Sequence, residues 1–220
     1  IEELCMNFRP VFYLRLLLIL LTIFVHPLRA MKKQNSNENN LIKEAKLFET
    51  IHNRKSVREY TDEIVSDEAI EIILRAAMAA PTAGNTQPWR FVVIQKRETI
   101  DAIADMMKHP TLLYKAPLVI AIFADSSKFY RGIQAEYWIQ DCSAAAQNLL
   151  LAVEGLRLGA VWLGVHPVEQ WKDGLAKILN VPDRYTALNI IAVGHPKGET
   201  KAKEKFNQQN IHYETWGKQK

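Results

Sequence analysis

Apolar residues along the chain recur at one of two periods, and the switches between them mark out the elements. Ile70, Ile73, Leu74, Ala77 and Met78 share one helical face, the 3.6-residue signature of an amphipathic helix. Ser66 stands before them as a candidate N-cap, with Asp67 and Glu68 in the first turn, where the helix dipole favours acid. Pro81 marks its end. Ile42, Ala45, Phe48 and Glu49 place an earlier helix over 41–53. Trp89 to Ile94 reads as a strand, followed by a helix with Ile100, Ile103, Ala104 and Met107 on one face. Leu118 to Phe123 is a short apolar run after Pro117 and reads as a buried strand.

The strongest helix spans Gln134 to Leu156. Ala135, Trp138, Ile139, Cys142, Ala145, Ala146, Leu149, Leu150 and Val153 form a stripe wide enough for a central helix packed on more than one side. Trp138 and Cys142 within it read as core. A strand at Ala160–Leu163, a helix at Val168–Leu179 and a strand at Ala187–Val193 follow. Alternating helices and short strands give an α/β or α+β class, as one domain over residues 41–220.

Residues 1–40 stand outside that pattern as a hydrophobic and polar leader. From Val11 to Val25 the chain is apolar except for Arg15 and Thr22. The stretch of about ten residues from Leu16 has the length of a signal-peptide core and is short for a membrane span. Arg9 and Arg15 precede it and Ala30 sits at a candidate cleavage position, although Leu28 departs from the small-x-small rule. Met31-Lys32-Lys33 also reads as a natural start, which makes residues 1–30 upstream translated sequence. Three readings stand: an upstream extension, an export signal, or a retained anchor that tethers an exported binding protein through 11–25.

Composition narrows the class. The chain has 220 residues, 48% of them apolar and 24% charged, which suits a single domain with a full core. A net charge of +4 is mildly basic, but no arginine-rich arm, zinc-finger spacing or aromatic-interleaved basic stripe points to nucleic acid. Cys5 and Cys142 form no C-x-x-C or metal-type pair, so a reducing, cytoplasmic setting is the default and no metal is expected.

Four constellations could carry chemistry. In Arg54-Lys55-Ser56-Val57-Arg58, an extended backbone points Arg54, Ser56 and Arg58 the same way, two guanidinium forks and a hydroxyl suited to a phosphate monoester. Pro81-Thr82-Ala83-Gly84-Asn85-Thr86-Gln87-Pro88-Trp89 joins a helix to a strand. Its small residues let backbone approach a planar ring, while Thr82, Asn85 and Gln87 offer polar groups. Trp162-Leu163-Gly164-Val165-His166-Pro167 ends a strand at a glycine open to a cofactor. His166 stands at its exit, where an imidazole can contact substrate or deliver a proton. In the tail, Lys203 and Lys205 of Lys201-Ala202-Lys203-Glu204-Lys205 add positive charge ahead of His212-Tyr213 and Trp216.

In order and spacing, these four pieces resemble the FMN-dependent nitroreductase family over roughly residues 48–216. The Arg-Lys-Ser-Val-Arg element followed by Tyr60 resembles its phosphate-binding motif. Pro81 to Trp89 with Arg90-Phe91 resembles its Asn-x-Gln-Pro-Trp loop, Trp162-Leu163-Gly164 the loop over the flavin, and Lys203 to Trp216 its C-terminal signature.

The resemblance implies an α+β fold, a mostly antiparallel sheet between helix layers, in a homodimer with swapped termini and two sites at the interface. It implies FMN held by Arg54, Lys55, Ser56, Arg58, Lys203 and Lys205; the family often has arginine at the position of Lys205. Pro81, Thr82, Ala83, Asn85 and Gln87 would line the flavin from the partner subunit, with Leu163 and Gly164 beside its N5. The implied reaction takes electrons from NAD(P)H to a nitroaromatic, quinone or similar acceptor in alternation, Gly164 and His166 standing nearest the chemistry and no membrane partner being needed. The cofactor supplies that chemistry and the protein orientation and charge, so no dedicated acid–base pair is expected, and none is evident. No G-x-G-x-x-G follows a strand, against a Rossmann dehydrogenase. A reductive dehalogenase or a flavin-fragmenting enzyme on the same fold is the alternative.

Overall fold

The computed structural model describes residues 46–108 and 110–220. The leader over 1–40, the apolar run 11–25 and residues 41–45 of the expected first helix lie outside the described residues. The chain divides into two compact units, residues 1–49 and 50–220. In the first, residues 46–49 are helical; in the second, residues 50–53 are helical and are labelled α1.

The second unit is built on a four-stranded antiparallel sheet. Its strands are β1 (Trp89–Ile94), β2 (Leu118–Asp125), β3 (Gly159–Gly164) and β4 (Tyr185–Gly194), in the order β1-β2-β4-β3. The helices are α2 (Asp67–Met78), α3 (Arg97–Met106), α4 (Tyr137–Gly155) and α5 (Glu169–Ile178). All eight residues of β2 are buried, because both faces of the sheet are covered. By the two-residue alternation of a strand, Leu118, Ile120, Ile122 and Ala124 enter a core shared with α2 and α4. Val119, Ala121 and Phe123 enter the opposite core, with α3 and α5. The architecture is the α+β arrangement with an antiparallel sheet between helix layers.

Several element ends differ from the periodicity reading. The Ser66 cap is present, its Oγ accepting from the Ala69 N–H at 3.2 Å. Helix α2 stops at Met78, three residues before Pro81, where the Ala79 and Ala80 N–H groups close onto carbonyls of the last turn. Helix α4 begins at Tyr137 after a 3-10 turn at Gly132–Gln134, so a continuous apolar pattern hides a change of helix type. Strands β2 and β4 extend to polar ends, Asp125 pairing with Tyr185. The β2–β4 register also shifts, Asn189 facing Ile122 and Ala187 facing Phe123. Leu188 is the extra residue of this bulge, and its carbonyl accepts both the Val165 and the His166 N–H, at 3.1 and 2.9 Å. The bulge thereby seats the chain as it leaves β3.

Candidate functional site

Residues 54–58 are extended and lie along β3. Ser56 makes a parallel bridge to Ala160, and the Val57 N–H donates to the Ala160 carbonyl at 2.9 Å. Val57 is buried, and it packs where Gly159 has no side chain; a Cβ at Gly159 would stand 2.7 Å from the Val57 Cβ. Tyr60 anchors the next turn, its hydroxyl donating to the Val57 carbonyl at 2.6 Å. Burial pushes the Tyr60 phenol well above its ordinary pKa, with the Arg58 charge opposing. The Thr61 N–H then bonds His195 and the Lys197 N–H bonds Glu59, at 2.9 Å each. This pairing carries the tail beyond Lys197 onto the same segment.

The consequence is a cationic cavity of about 270 Å³. Arg54, Lys55, Ser56 and Arg58 form one wall, with Thr200, Lys201, Lys203 and Lys205 opposite. The cations are not equivalent. Lys55 Nζ lies 3.1 Å from Glu154 Oε1 on α4 and also donates to the Asn53 carbonyl, so its charge is matched within the protein. Among the described residues, Arg54, Arg58, Lys201, Lys203 and Lys205 have no carboxylate within ion-pair distance. Glu204 accepts from the backbone N–H groups of Lys205 and Phe206, which hold its carboxyl below the usual range. It therefore fixes the turn between the lysines.

A second cavity, of about 310 Å³, adjoins the first through Arg58. Val161, Trp162, Leu163 and Gly164 line its strand side, and Met107, Pro110, Leu112 and Trp171 its apolar cover. Gly164 is exposed at the end of β3, and the nearest atom to a Cβ built there is the His166 carbonyl oxygen at 3.9 Å. Backbone is thus open to a ligand at that point.

His166 does not line either cavity. Its ring packs edge-to-face on Trp138, 5.1 Å between centroids, and its Nδ1 is buried without a protein partner among the described residues. Trp138 and Cys142 are buried core, as their positions in the stripe implied. Burial pushes the Cys142 thiol up to about 12, which leaves little thiolate to react.

The loop from Pro81 to Gln87 is set apart from these cavities. Gly84, Asn85 and Gln87 all have positive φ, 52°, 56° and 48°, conformations that Gly and Asn tolerate best. The Gln87 N–H donates to Thr82 Oγ1 at 3.2 Å and its amide to Asn85 Oδ1 at 2.9 Å, so the loop's polar groups largely bond one another. The loop is tied to α4 through the Ala83 N–H, which donates to Asp141 Oδ1 at 2.8 Å. Thr86 reaches a third cavity, lined with Phe129, Tyr130, Arg131 and Gln134.

The structure therefore joins the first motif to the lysine tail, and the third motif to both through Arg58. Pro81, Thr82, Ala83, Asn85 and Gln87 are not brought to that cavity within the chain. Sequence reading missed Asp141, Glu154 and Asn189. Asp141 carried a signal, as an acid between Trp138 and Ala145 on the buried stripe of α4. Asn189 is fully buried opposite Gly164, its amide without a protein partner among the described residues, and nothing in the local pattern marks it.

The nitroreductase family model matches residues 51–111 and 106–195. The chain belongs to the nitroreductase family. An Archaeoglobus fulgidus protein provisionally named NADH dehydrogenase/NAD(P)H nitroreductase is 40% identical over 171 residues, 76% of this chain and 96% of that protein. Among solved structures, a similarly named Parabacteroides distasonis protein superposes with a TM-score of 0.73 at 39% identity, covering 77% of this chain and 98% of that one. A Desulfovibrio desulfuricans structure, provisionally a nitroreductase, superposes with a TM-score of 0.65 at 33% identity, covering 77% and 97%, and contains FMN. The family match spans β1 to β4 and the Arg54–Arg58 segment and ends at His195, and the geometry places the lysine tail on the cradle.

Proposed function

We propose that this nitroreductase-family chain is an FMN-dependent oxidoreductase. It takes electrons from NAD(P)H and passes them to a small electron-poor acceptor, a nitroaromatic or quinone, in alternation at one site. The observation that carries this reading is the pair of cavities joined at Arg58, one cationic and one walled by apolar side chains and open backbone. Guanidinium, hydroxyl and ammonium groups match a phosphate monoester, and the Trp162–Gly164 wall suits a flat ring. The FMN-containing Desulfovibrio relative supports the same cofactor, and the name of the Archaeoglobus relative supports the nicotinamide donor.

Arg54, Ser56 and Lys205, with Lys203, would hold the phosphate, while Lys55 keeps the segment seated on α4 through Glu154. Bound FMN supplies the two-electron chemistry. Arg58, lining both cavities, would put a fixed positive charge beside the ring, which stabilises negative charge developing there. Met107, Leu112 and Trp171 limit water access, and Gly164 leaves room at the strand end. His166 bonds neither cavity, so in this reading it acts as a packing residue on Trp138.

We also propose that the working form is a homodimer. Leu47, Phe48, Met78 and Trp216 are large apolar side chains exposed on the single chain, and the 81–87 loop would line the partner's flavin. Among the described residues, no helix is long and apolar enough to cross a membrane, and the free Cys142 suits the cytoplasm. The test is the double variant Arg54→Ala, Arg58→Ala. Loss of two charge-assisted contacts, about 1.5–3 kcal/mol each, should weaken FMN binding at least about a hundredfold while far-UV circular dichroism is unchanged. Stoichiometric flavin in the purified variant would overturn the reading.

A further inference from the structure

A fourth cavity shares lining with the cationic one and none with the cavity at Gly164. Its volume is about 590 Å³, and it shares Arg54, Lys203 and Lys205 with the cradle. Beyond those cations its walls change character. Ile51 and Phe206 present large, exposed apolar side chains, 43% and 75% accessible, with His52 and Asn53 at the edge. The exposed Phe206 ring offers an aromatic face on which a nucleobase stacks.

The three spaces form a series joined by shared arginines. Arg58 belongs to the ring cavity and the cationic cavity, and Arg54 to the cationic cavity and this fourth one. Four residues of extended chain separate those two arginines, about 13 Å at 3.3 Å per residue. The order of chemistry along it is flat ring, anion, then base. A dinucleotide has that order: a redox ring at one end, a diphosphate in the middle and adenosine at the other.

Charge points the same way. Arg54, Arg58, Lys201, Lys203 and Lys205 are the five cations of the cradle without a carboxylate partner among the described residues. A phosphate monoester neutralises at most about two positive charges. Cations held together in excess of their counter-charge repel one another, so the cluster has capacity for a further phosphate group.

We propose that the cavity between residues 51–54 and 202–206 is a subsite for the adenosine phosphate end of a dinucleotide. This rests on the FMN reading above. The adenosine phosphate has two sources with the same chemistry: the NAD(P)H substrate, its phosphates meeting the cations that FMN leaves unmatched, or FAD taken in place of FMN.

The experiment uses the full chain, FMN-loaded and flavin-stripped, with titration calorimetry of 2′,5′-ADP, ADP and FAD. Saturable binding of 2′,5′-ADP to the FMN-loaded protein assigns the subsite to the nicotinamide nucleotide. FAD binding to the stripped protein within about tenfold of FMN, with ADP displacing FMN, assigns it to FAD. In either case Phe206→Ala should weaken the adenosine ligand about tenfold and leave FMN affinity within twofold. Ile51→Ser provides an independent check from the opposite wall. No binding of any adenosine ligand, or equal weakening of FMN and adenosine ligands by both variants, overturns the subsite. Failure of FMN itself to bind stoichiometrically would instead overturn the cofactor reading.

Discussion

Two segments with ligand-type sequences meet different fates in this fold. Residues 54–58 become one wall of a cationic cavity, completed within the same chain by the tail at 200–205. Residues 81–87 become a loop whose polar groups bond mainly each other, tied to the body where the Ala83 N–H donates to Asp141 and where the Gln87 carbonyl accepts from Arg90 and Lys128. The first has charges without partners; the second has its hydrogen bonds largely satisfied. Unmatched charge marks a surface shaped for something outside the chain, because partnerless cations in close company cost stability. A satisfied loop gives no such sign, and its part in a site depends on what a second copy places against it.

The sharpest way to break the comparison is through the backbone under the cradle. A Cβ at Gly159 would stand 2.6 Å from Val57 Cγ1 and 2.7 Å from its Cβ, and Val57 is buried and stiff at χ1. Gly159→Ala should cost about 1–3 kcal/mol by overpacking. It should also lift the 54–58 segment off β3, weakening FMN at least about tenfold. Urea unfolding and flavin titration check the two effects together. Loss of stability with FMN affinity intact would show that the cradle does not depend on its seat against β3.

The asymmetry also governs what could be read in advance. The cradle was legible because alternation in an extended segment fixes which side chains point together, and Arg54, Ser56 and Arg58 needed no tertiary knowledge to be grouped. The tail lysines were legible as charge, but not as the opposing wall, because that depends on pairings between Thr61 and His195 and between Glu59 and Lys197. The cores of α2 and β2 followed from periodicity. The early stop of α2, the 3-10 turn before α4 and the bulge at Leu188 did not, since apolar spacing continues through all three. Asp141 and Glu154 act through contacts 58 and 99 residues away in sequence, which no local pattern encodes.

A smaller effect is expected at the loop's tie. Asp141→Ala leaves the Ala83 N–H without its acceptor, a loss of about 1–2 kcal/mol, and frees the 82–85 turn. Thermal unfolding should register that loss, while FMN affinity measured by flavin titration stays within about threefold, because the phosphate cradle is untouched. If the loop lines the partner's flavin, steady-state turnover with a nitroaromatic should fall more than binding does. An equal collapse of FMN affinity would merge the two regions into one unit.

Salt should separate them in a milder way. The cradle's cations face solvent-open space, so their pull on a phosphate is screened as the Debye length shrinks from about 10 Å at 0.1 M towards 3 Å at 1 M. FMN affinity should fall roughly tenfold between 0.05 and 0.5 M KCl, measured by titration at fixed pH. Asp141 is buried and its contact with Ala83 part-buried, so salt screens it far less and the Asp141→Ala stability difference should stay nearly constant across the same change.

The smallest effect concerns the charge on Asp141. Burial raises its pKa, and the Ala83 N–H works against that rise. A carboxyl whose folded pKa lies above its unfolded one binds its proton more tightly in the native state. Its contribution to stability is then complete below the unfolded pKa and is lost as pH rises through the folded value. Asp141→Asn keeps an oxygen to accept from Ala83 and removes the buried charge. The variant should therefore be no less stable than the wild type at pH 7, and its advantage should shrink as pH falls towards 4. Urea midpoints of both proteins at pH 4 and pH 7 measure it. A variant that loses as much at pH 7 as Asp141→Ala would mean that the loop is held by the carboxylate's charge, and the contrast between a cradle of unmatched charge and a loop of satisfied hydrogen bonds would fail.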